Sequence, residues 1–296
     1  MIARMRFRAL TSEDFPQANE VLRAAFHAPV EISFEPRLRR YLALQPDGWL
    51  VAEDEGQLVG MVGAIDYGAF AYVGLMAVRP DRQGRHLGRQ LLEATLDQLT
   101  TRAEASGRPR AACAALDASA AGAPLYERMG FTDSGLSHEY WPGPVGAATA
   151  DVAPAVTIAV ATATAIDDLV QLDATFFGAP RQRLWHLLFG TLPGRVLLAR
   201  DGDGAACGYV VAQDGLLGPF GARTPDVADA LLQRAFAVLG HDRVRLQVPE
   251  ENAEARALLA KRGFTLGRSL RHMRRGPVPE LTGWRAIYGK GSYCLG

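Results

Sequence analysis

The spacing of apolar positions along the first half of the chain predicts an alternation of strands and helices. Arg6–Leu10 reads as a strand, and Thr11-Ser12-Glu13-Asp14 opens a helix whose buried stripe is Phe15, Ala18, Val21, Leu22 and Ala25. Leu38, Tyr41, Leu42 and Leu44 suggest a second short helix within His27–Pro46. Trp49–Ala52 and Val59–Ile65 read as strands joined by the turn Glu53-Asp54-Glu55-Gly56. The stretch Val73–Leu99 then passes from an apolar strand, through a loop holding Gly84 and Gly88, into a helix marked by Leu87, Leu91, Leu92, Leu96 and Leu99. Arg110–Leu116 is a further strand, Gly122–Met129 a helix with Gly130 suited to its left-handed end, and Phe131–Trp141 a closing strand or hairpin.

Trp141–Val156 is rich in Pro, Ala and Gly, lacks either period and reads as a linker. Beyond it the same order returns, which argues for internal duplication. Ile158–Ala161 followed by Thr164–Leu169 mirrors the first strand and its capped helix. Val196–Ala199 and Cys207–Ala212 mirror the hairpin, Ala230–Leu239 the long helix and Arg243–Val248 the next strand. Arg256–Phe264 ends in Lys-Arg-Gly-Phe where the first half has Glu-Arg-Met-Gly-Phe. Placing Gly130 on Gly263 puts Leu259 at Tyr126 and Asn252 at Ser119. The expected fold class is α/β, a mixed central sheet flanked by helices, in two tandem domains: residues 1–142, a linker 143–155, and 156–296.

Composition narrows the partners. The 296 residues carry 32 basic and 32 acidic side chains, so the chain lacks the basic balance of a general nucleic-acid binder. No segment reaches the roughly 18 apolar residues of a membrane span, and the start is too short in apolar length for a signal peptide. Cys113, Cys207 and Cys294 show neither a disulfide framework nor metal-ligand spacing, so no metal is expected and a reducing, cytoplasmic setting fits. Oligomeric state stays open.

The loop before the long helix offers unpaired backbone N–H groups at the positive end of a helix dipole, a place for phosphate or pyrophosphate. Its residues, Val78-x-Pro80-x-x-Gln83-Gly84-Arg85-His86-Leu87-Gly88, followed by Leu125-Tyr126-Glu127-Arg128-Met129-Gly130-Phe131, resemble the GNAT superfamily of N-acetyltransferases over about residues 4–141. The tandem arrangement is similar to two-domain bacterial members with a divergent second copy. The resemblance implies that acetyl-CoA is the co-substrate, with its pyrophosphate held by backbone N–H groups from Gly84 through Arg89 in the cofactor loop Gln83, Gly84, Arg85, His86, Leu87, Gly88 and Arg89. It also implies that the strand carrying Leu75–Val78 splays from the strand of Ala112–Leu116, so that the pantetheine arm pairs with its main chain at Met76, Ala77 and Val78. His86 departs from the pattern, which has glycine there. A side chain is tolerated if that residue takes helical dihedrals and points its ring outward, and otherwise crowds the phosphates.

The same resemblance makes Tyr126 the general acid that protonates the departing thiolate; the alternative is a tyrosine packed on the helix face. Ser119 either caps the following helix or touches the cofactor. A base must take the ammonium proton of the acceptor, yet Phe70–Val78 holds no acid and Gly74 lies about where the family's carboxylate would be. Asp66 at the end of the third strand is the first candidate, against a turn carboxylate capping its own backbone. His27, Glu31, Glu35 and His138 are further candidates, and transfer through water is open. Tyr72, Phe26 and Phe34 either line an acceptor pocket or belong to the core.

The second half lacks the glycine loop, places Asp226 and Asp229 where phosphates would sit, and has Leu259 for the tyrosine, so it is expected to be a non-catalytic domain that closes one side of the acceptor site or stabilises the first, the alternative being a second weak acyl-CoA site. Its last stretch, Ala286 to Leu295, reads as a closing strand. The expected function is acetyl transfer to a primary amine of a small molecule, with a protein or peptide amine as the second choice; the competing classes are an acyl-CoA-binding sensor or scaffold without turnover and a purely structural pair of α/β domains.

Overall fold

The computed structural model describes residues 5–108, 113–143, 156–239, 244–277 and 282–296. Packing divides the chain into two compact units, one formed by residues within 1–116, 121–132 and 274–278, the other by residues within 117–120, 133–273 and 279–296.

The first unit contains β1 (Arg6–Ala9), α1 (Phe15–Phe26), α2 (Glu35–Leu44), β2 (Trp49–Asp54), β3 (Gln57–Asp66), β4 (Ala71–Val78), α3 (Leu87–Ala105), the start of β5 (Ala114–Ala118) and α4 (Ala123–Arg128). Its strands lie in the order β1-β2-β3-β4-β5, antiparallel as far as β4, with β5 parallel to β4. The predicted start of α1 is formed as expected. Asp14 accepts from the Thr11 N–H at 2.8 Å and is clamped by Arg8 at 2.7 and 2.8 Å, so the turn before the helix is fixed at both ends. Trp49 anchors the sheet: it is fully buried, stacks on Tyr41 at 5.3 Å and donates from Nε1 to the Tyr41 carbonyl at 3.0 Å. It covers Gly63 so closely that a Cβ there would lie 1.8 Å from the indole, which is why β3 carries glycine opposite a tryptophan.

The second unit holds most of β6 (Thr132–Pro142), then β7 (Thr157–Val160), α5 (Ile166–Phe177), α6 (Gln182–Thr191), β8 (Val196–Arg200), β9 (Ala206–Gln213), β10 (Leu216–Ala222), α7 (Pro225–Leu239), β11 (Leu246–Pro249), α8 (Ala253–Lys261), most of β12 (Phe264–Arg275) and β13 (Ile287–Gly289). One sheet runs β13-β10-β9-β8-β7, and β6 lies between β12 and β11 in another. The pairing of β6 with β11 runs from Leu246 opposite Tyr140 to Pro249 opposite Ser137. A strand of the first sequence repeat therefore packs with the second unit, so division by repeat at residue 142 and division by packing differ. Strand pairing is non-local, and a hydrophobic run does not name its partner.

Other differences from the sequence expectations are local. The closing stretch is strand only over Ile287–Gly289; Leu295 and Gly296 then turn back on Ser292 at 3.2 and 3.1 Å, with Gly296 at φ +72°. The expected strand from Arg110 begins at Ala114, residues 109–112 lying outside the described residues, as do 144–155 of the linker and 240–243 before β11. Helix α6, which buries Leu184, Trp185 and Leu188, and strand β10, interrupted by Gly218 and Pro219, are elements beyond those expected from the sequence.

A wholly buried ion cluster sits in the second unit. Lys290 Nζ donates to Asp117 at 2.9 and 3.1 Å and to Ser137 at 2.6 Å, Ser137 donates to Asp117, His272 Nδ1 lies 3.2 Å from the same carboxylate, and the Trp284 ring lies 4.6 Å from Lys290 Nζ and 4.7 Å from the His272 ring. Burial opposes the Asp117 charge, but Lys290 and the hydrogen bonds of His272 and Ser137 outweigh it and hold the carboxyl far below the ordinary range. A depressed native pKa gives stability that is present above the unfolded value of about 4 and lost as pH falls below it. Urea unfolding should accordingly show an acid limb below about pH 4. Lys290→Met should lower stability by about 3–5 kcal/mol and shrink that limb, because it leaves a buried carboxylate without its cation; an unchanged midpoint would contradict this account of the cluster.

Candidate active site

Strand β4 pairs with β5 at two positions only, Ala71 with Ala114 and Tyr72 with Ala115, and then leaves it. The departure coincides with a bulge. Between Ala77 opposite Met61 and Gly74 opposite Gly63, β4 spends three residue steps against two on β3, and Leu75 takes φ +50°. A bulge bends and twists its strand, here turning the second half of β4 away from β5. Ala77 and Val78 stay registered with Met61 and Gly60 of β3 on one edge and Met76 falls within the bulge, while the other edge of all three has no ladder partner among the described residues. This is the wedge that the sequence resemblance called for.

The open edge leads directly into the loop. Gln83 Nε2 donates to the Val78 carbonyl at 3.0 Å, Gly84 takes φ +75° and His86, the N-cap of α3, takes φ 60° and ψ 8°. His86 therefore does not have the helical dihedrals under which its ring was expected to be tolerated. Its backbone is left-handed, the conformation that favours glycine at this place, while its ring is exposed and points to solvent. Gly88 has no such requirement: a Cβ there would make ordinary contact with Leu125 at 3.4 Å. That contact also shows that α4, which carries Tyr126, packs beside the start of α3. Leu87 is buried and anchors the turn; Arg85 and Arg89 are exposed, with Arg89 bonded to Glu93 at 2.7 Å. The first α3 amide with a carbonyl partner is Gln90, to His86 at 3.0 Å. The preceding amides, Gly84 to Arg89, have no backbone acceptor among the described residues and form the donor row at a helix N-terminus.

Tyr126 is nine-tenths buried and edge-on to Phe131 at 5.9 Å. Helix α4 is capped at Gly122, not at Ser119, which is exposed in the segment between β5 and α4. Asp66 lies opposite Ala71, at the closed end of the wedge, and the bulge at Leu75 is on the order of 10 Å further along β4. Burial alone would raise its carboxyl, but Arg108 at 2.6 and 3.0 Å and the Gly68 N–H at 2.8 Å outweigh it and hold the pKa below the ordinary value. The geometry thus favours the turn-capping alternative for Asp66 over the base. Arg108, the partner that decides this, is 42 residues away in sequence and carried no local signal.

The remaining candidates are dispersed. His27 is the exposed, left-handed end of α1, Glu31 is exposed in the following loop, and Glu35 is at the first turn of α2. His138 belongs to the second unit, where its Nδ1 meets Ser269 at 2.8 Å and burial pushes its pKa down. Tyr72 is fully buried, a core residue; Phe34 is buried against the half-exposed Phe26 at 6.0 Å. Among the described residues no group of three His, Cys, Asp or Glu side chains is arranged to hold a metal ion, and no helix is long and apolar enough to cross a membrane.

A family model described as an acetyltransferase (GNAT) domain matches residues 45–133, and a second so described matches residues 169–289. The chain belongs to the GNAT acetyltransferase family. A curated relative from Bacillus subtilis, the uncharacterized N-acetyltransferase YitH, is 25% identical over 218 residues, 71% of each chain. An acetyltransferase candidate of known structure from Pyrococcus horikoshii is similar with a TM-score of 0.81 at 24% identity, over 99% of this chain and 96% of that one. A tandem GNAT protein from the clavulanic acid biosynthesis pathway, solved without AcCoA, is similar with a TM-score of 0.64 at 16% identity, over 94% of this chain and all of that one, 100%. The chain is thus a mixed α/β protein with two tandem GNAT domains.

The two GNAT domains differ at the loop. In the second, Thr224 Oγ1 accepts from the Val227 N–H at 3.3 Å, so the N-terminus of α7 is capped by its own chain; Asp226 stands in that first turn and Asp229 is engaged by Arg262. The strained residue of the first loop is directly testable. His86→Gly should leave thermal stability within about 0.5 kcal/mol, relief of left-handed strain offsetting added unfolded-state entropy, while His86→Val should cost about 1–2 kcal/mol. Equal effects of the two substitutions would contradict the left-handed assignment.

Proposed function

We propose that this GNAT protein is an acetyl-CoA-dependent N-acetyltransferase acting on a primary amine of a small molecule, with its chemistry in the first domain. The observation that carries the reading is continuity: the edge of β4 from Val73 to Val78, without a ladder partner among the described residues, runs into the row of amides from Gly84 to Arg89 that have no backbone acceptor among them. An extended arm with amides of its own fits such an edge as an added strand, and a pyrophosphate fits the helix N-terminus. Met76, Ala77 and Val78 would hold the arm through their main chain, and Gln83, Gly84, Arg85, His86, Leu87, Gly88 and Arg89 the phosphates. Acetyl-CoA bound there supplies an activated acetyl group.

Tyr126 is the residue we assign to hold a proton at Oη for the departing sulfur, because its helix packs against the loop at Gly88. The acceptor must arrive without its ammonium proton, since only the neutral amine has a lone pair. With no acid on β4, and with Asp66 tied to Arg108, we assign that deprotonation to water, and Asp66 to fixing the β3–β4 turn. The balanced charge of the chain favours a small acceptor over a polyanion. Three cysteines without a disulfide framework in their spacing suit a reducing, cytoplasmic compartment.

Release of CoA thiol from acetyl-CoA with a panel of amines tests this reading. Tyr126→Phe should lower kcat by about 100-fold and remove the alkaline limb. In both the native chain and Asp66→Asn, kcat/KM should rise with pH toward the pKa of the amine. A limb that disappears in Asp66→Asn would restore Asp66 as the base. Binding of acetyl-CoA without turnover on any amine would favour a sensor or scaffold, the reading that the missing β4 carboxylate supports.

A further inference from the structure

The second domain repeats the wedge and then fills it. Strand β10 carries the same irregularity as β4: between Leu217 opposite Ala212 and Phe220 opposite Val210 it spends three residue steps against two on β9. Its parallel contact with the segment leading into β11 is confined to the start, where Leu217 N–H donates to the Arg245 carbonyl at 3.0 Å and Leu216 bridges Arg245. Beyond that point β10 and β11 part, as β4 and β5 do. The gap is taken by β13. On one side Phe220 pairs with Gly289 and Gly221 with Ile287; on the other, the Lys290 N–H donates to the Gln247 carbonyl of β11 at 2.8 Å.

The fit is at backbone contact. A Cβ on Gly289 would lie 2.5 Å from the Leu217 carbonyl oxygen, and one on Gly218 would lie 2.0 Å from that of Lys290. No second chain passes between backbones this close. The position aligned with Ser119 is Asn252, and its Nδ2 donates to the Ile287 carbonyl at 3.0 Å, which ties this strand to the start of α8. Just past the strand, Lys290 Nζ is locked on Asp117, and Arg181 donates to the Gly296 carbonyl at 3.2 Å. Lifting β13 out would break the Lys290–Asp117 pair and leave a carboxylate buried without its cation.

We propose that β13 is an internal replacement for the pantetheine arm, so that the second GNAT domain is closed to acyl-CoA by the chain's own C-terminal strand. The proposal rests on the reading of the first wedge as the cofactor's place. It differs from loss of the phosphate loop alone: a domain lacking only the loop keeps an open wedge that a dephosphorylated or truncated thioester could enter, whereas a filled wedge admits neither. It also gives the strand a positive role, because an unpaired β10 edge is a place for unwanted strand addition.

Hydrogen exchange of the full-length chain, read by mass spectrometry with and without acetyl-CoA and with and without acetyl-pantetheine, tests the proposal. Without ligand the amides of residues 287–290 should exchange at least about a thousandfold more slowly than an unstructured chain, and neither compound should change them. In parallel, calorimetry should give one equivalent of acetyl-CoA for the native chain and none for Gly84→Val, whose substitution lies only in the first loop. Rapid exchange of 287–290 without ligand, their release on adding either compound, or a second equivalent that survives in Gly84→Val would overturn it. A native chain that binds no acetyl-CoA while 287–290 stay protected would instead defeat the reading of the first domain and leave the closed second wedge standing.

Discussion

A single extra residue in the fourth strand of each GNAT domain is the constraint on which the rest depends. In β4 it falls at Gly74-Leu75, where a non-glycine residue takes a left-handed φ, and it separates β4 from β5 after two paired residues. The strain is of the order of 1–2 kcal/mol, small beside what the sheet and its core contribute, and it creates an interior edge of unpaired main-chain groups. Such an edge is costly to leave dry and unpaired, so it must be met by water, a ligand or another strand.

The two domains answer that demand differently. The first leaves the edge available and continues it into the uncapped N-terminus of α3, at the further cost of a left-handed His86. The second pairs its edge with β13, caps α7 through Thr224 and secures the inserted strand with Asn252 and a buried lysine. Desolvating Lys290 and Asp117 together is expensive, and an ion pair of this kind is a poor source of net stability compared with apolar packing. Its value here is registration, since Nζ reaches Asp117 and Ser137 only when Gly289 lies against β10.

What the sequence revealed followed from local rules. The Thr11–Asp14 box, the helix stripes, the β2–β3 turn at Glu55-Gly56 and the glycine loop were all readable because each depends on residues a few positions apart. Duplication was readable because the period repeats. The choices that decide function were not. Nothing about Leu75 announces a positive φ, and Asp66 looked available as a base because Arg108 is distant in sequence. Lys290, in a Gly-Lys-Gly stretch that resembles a solvated turn, is fully buried because Asp117 awaits it. Likewise β13, only three residues long, has too few positions to show a period, and its role is set by the space between two other strands.

The most direct test is a crystal structure of the full-length chain grown with acetyl-CoA. The account predicts ligand density between β4 and β5, with the pyrophosphate on the amides of Gly84 to Arg89 and β13 in place between β10 and β11. Density for the cofactor against β10, or a first wedge that stays empty while the ligand lies elsewhere, would contradict it.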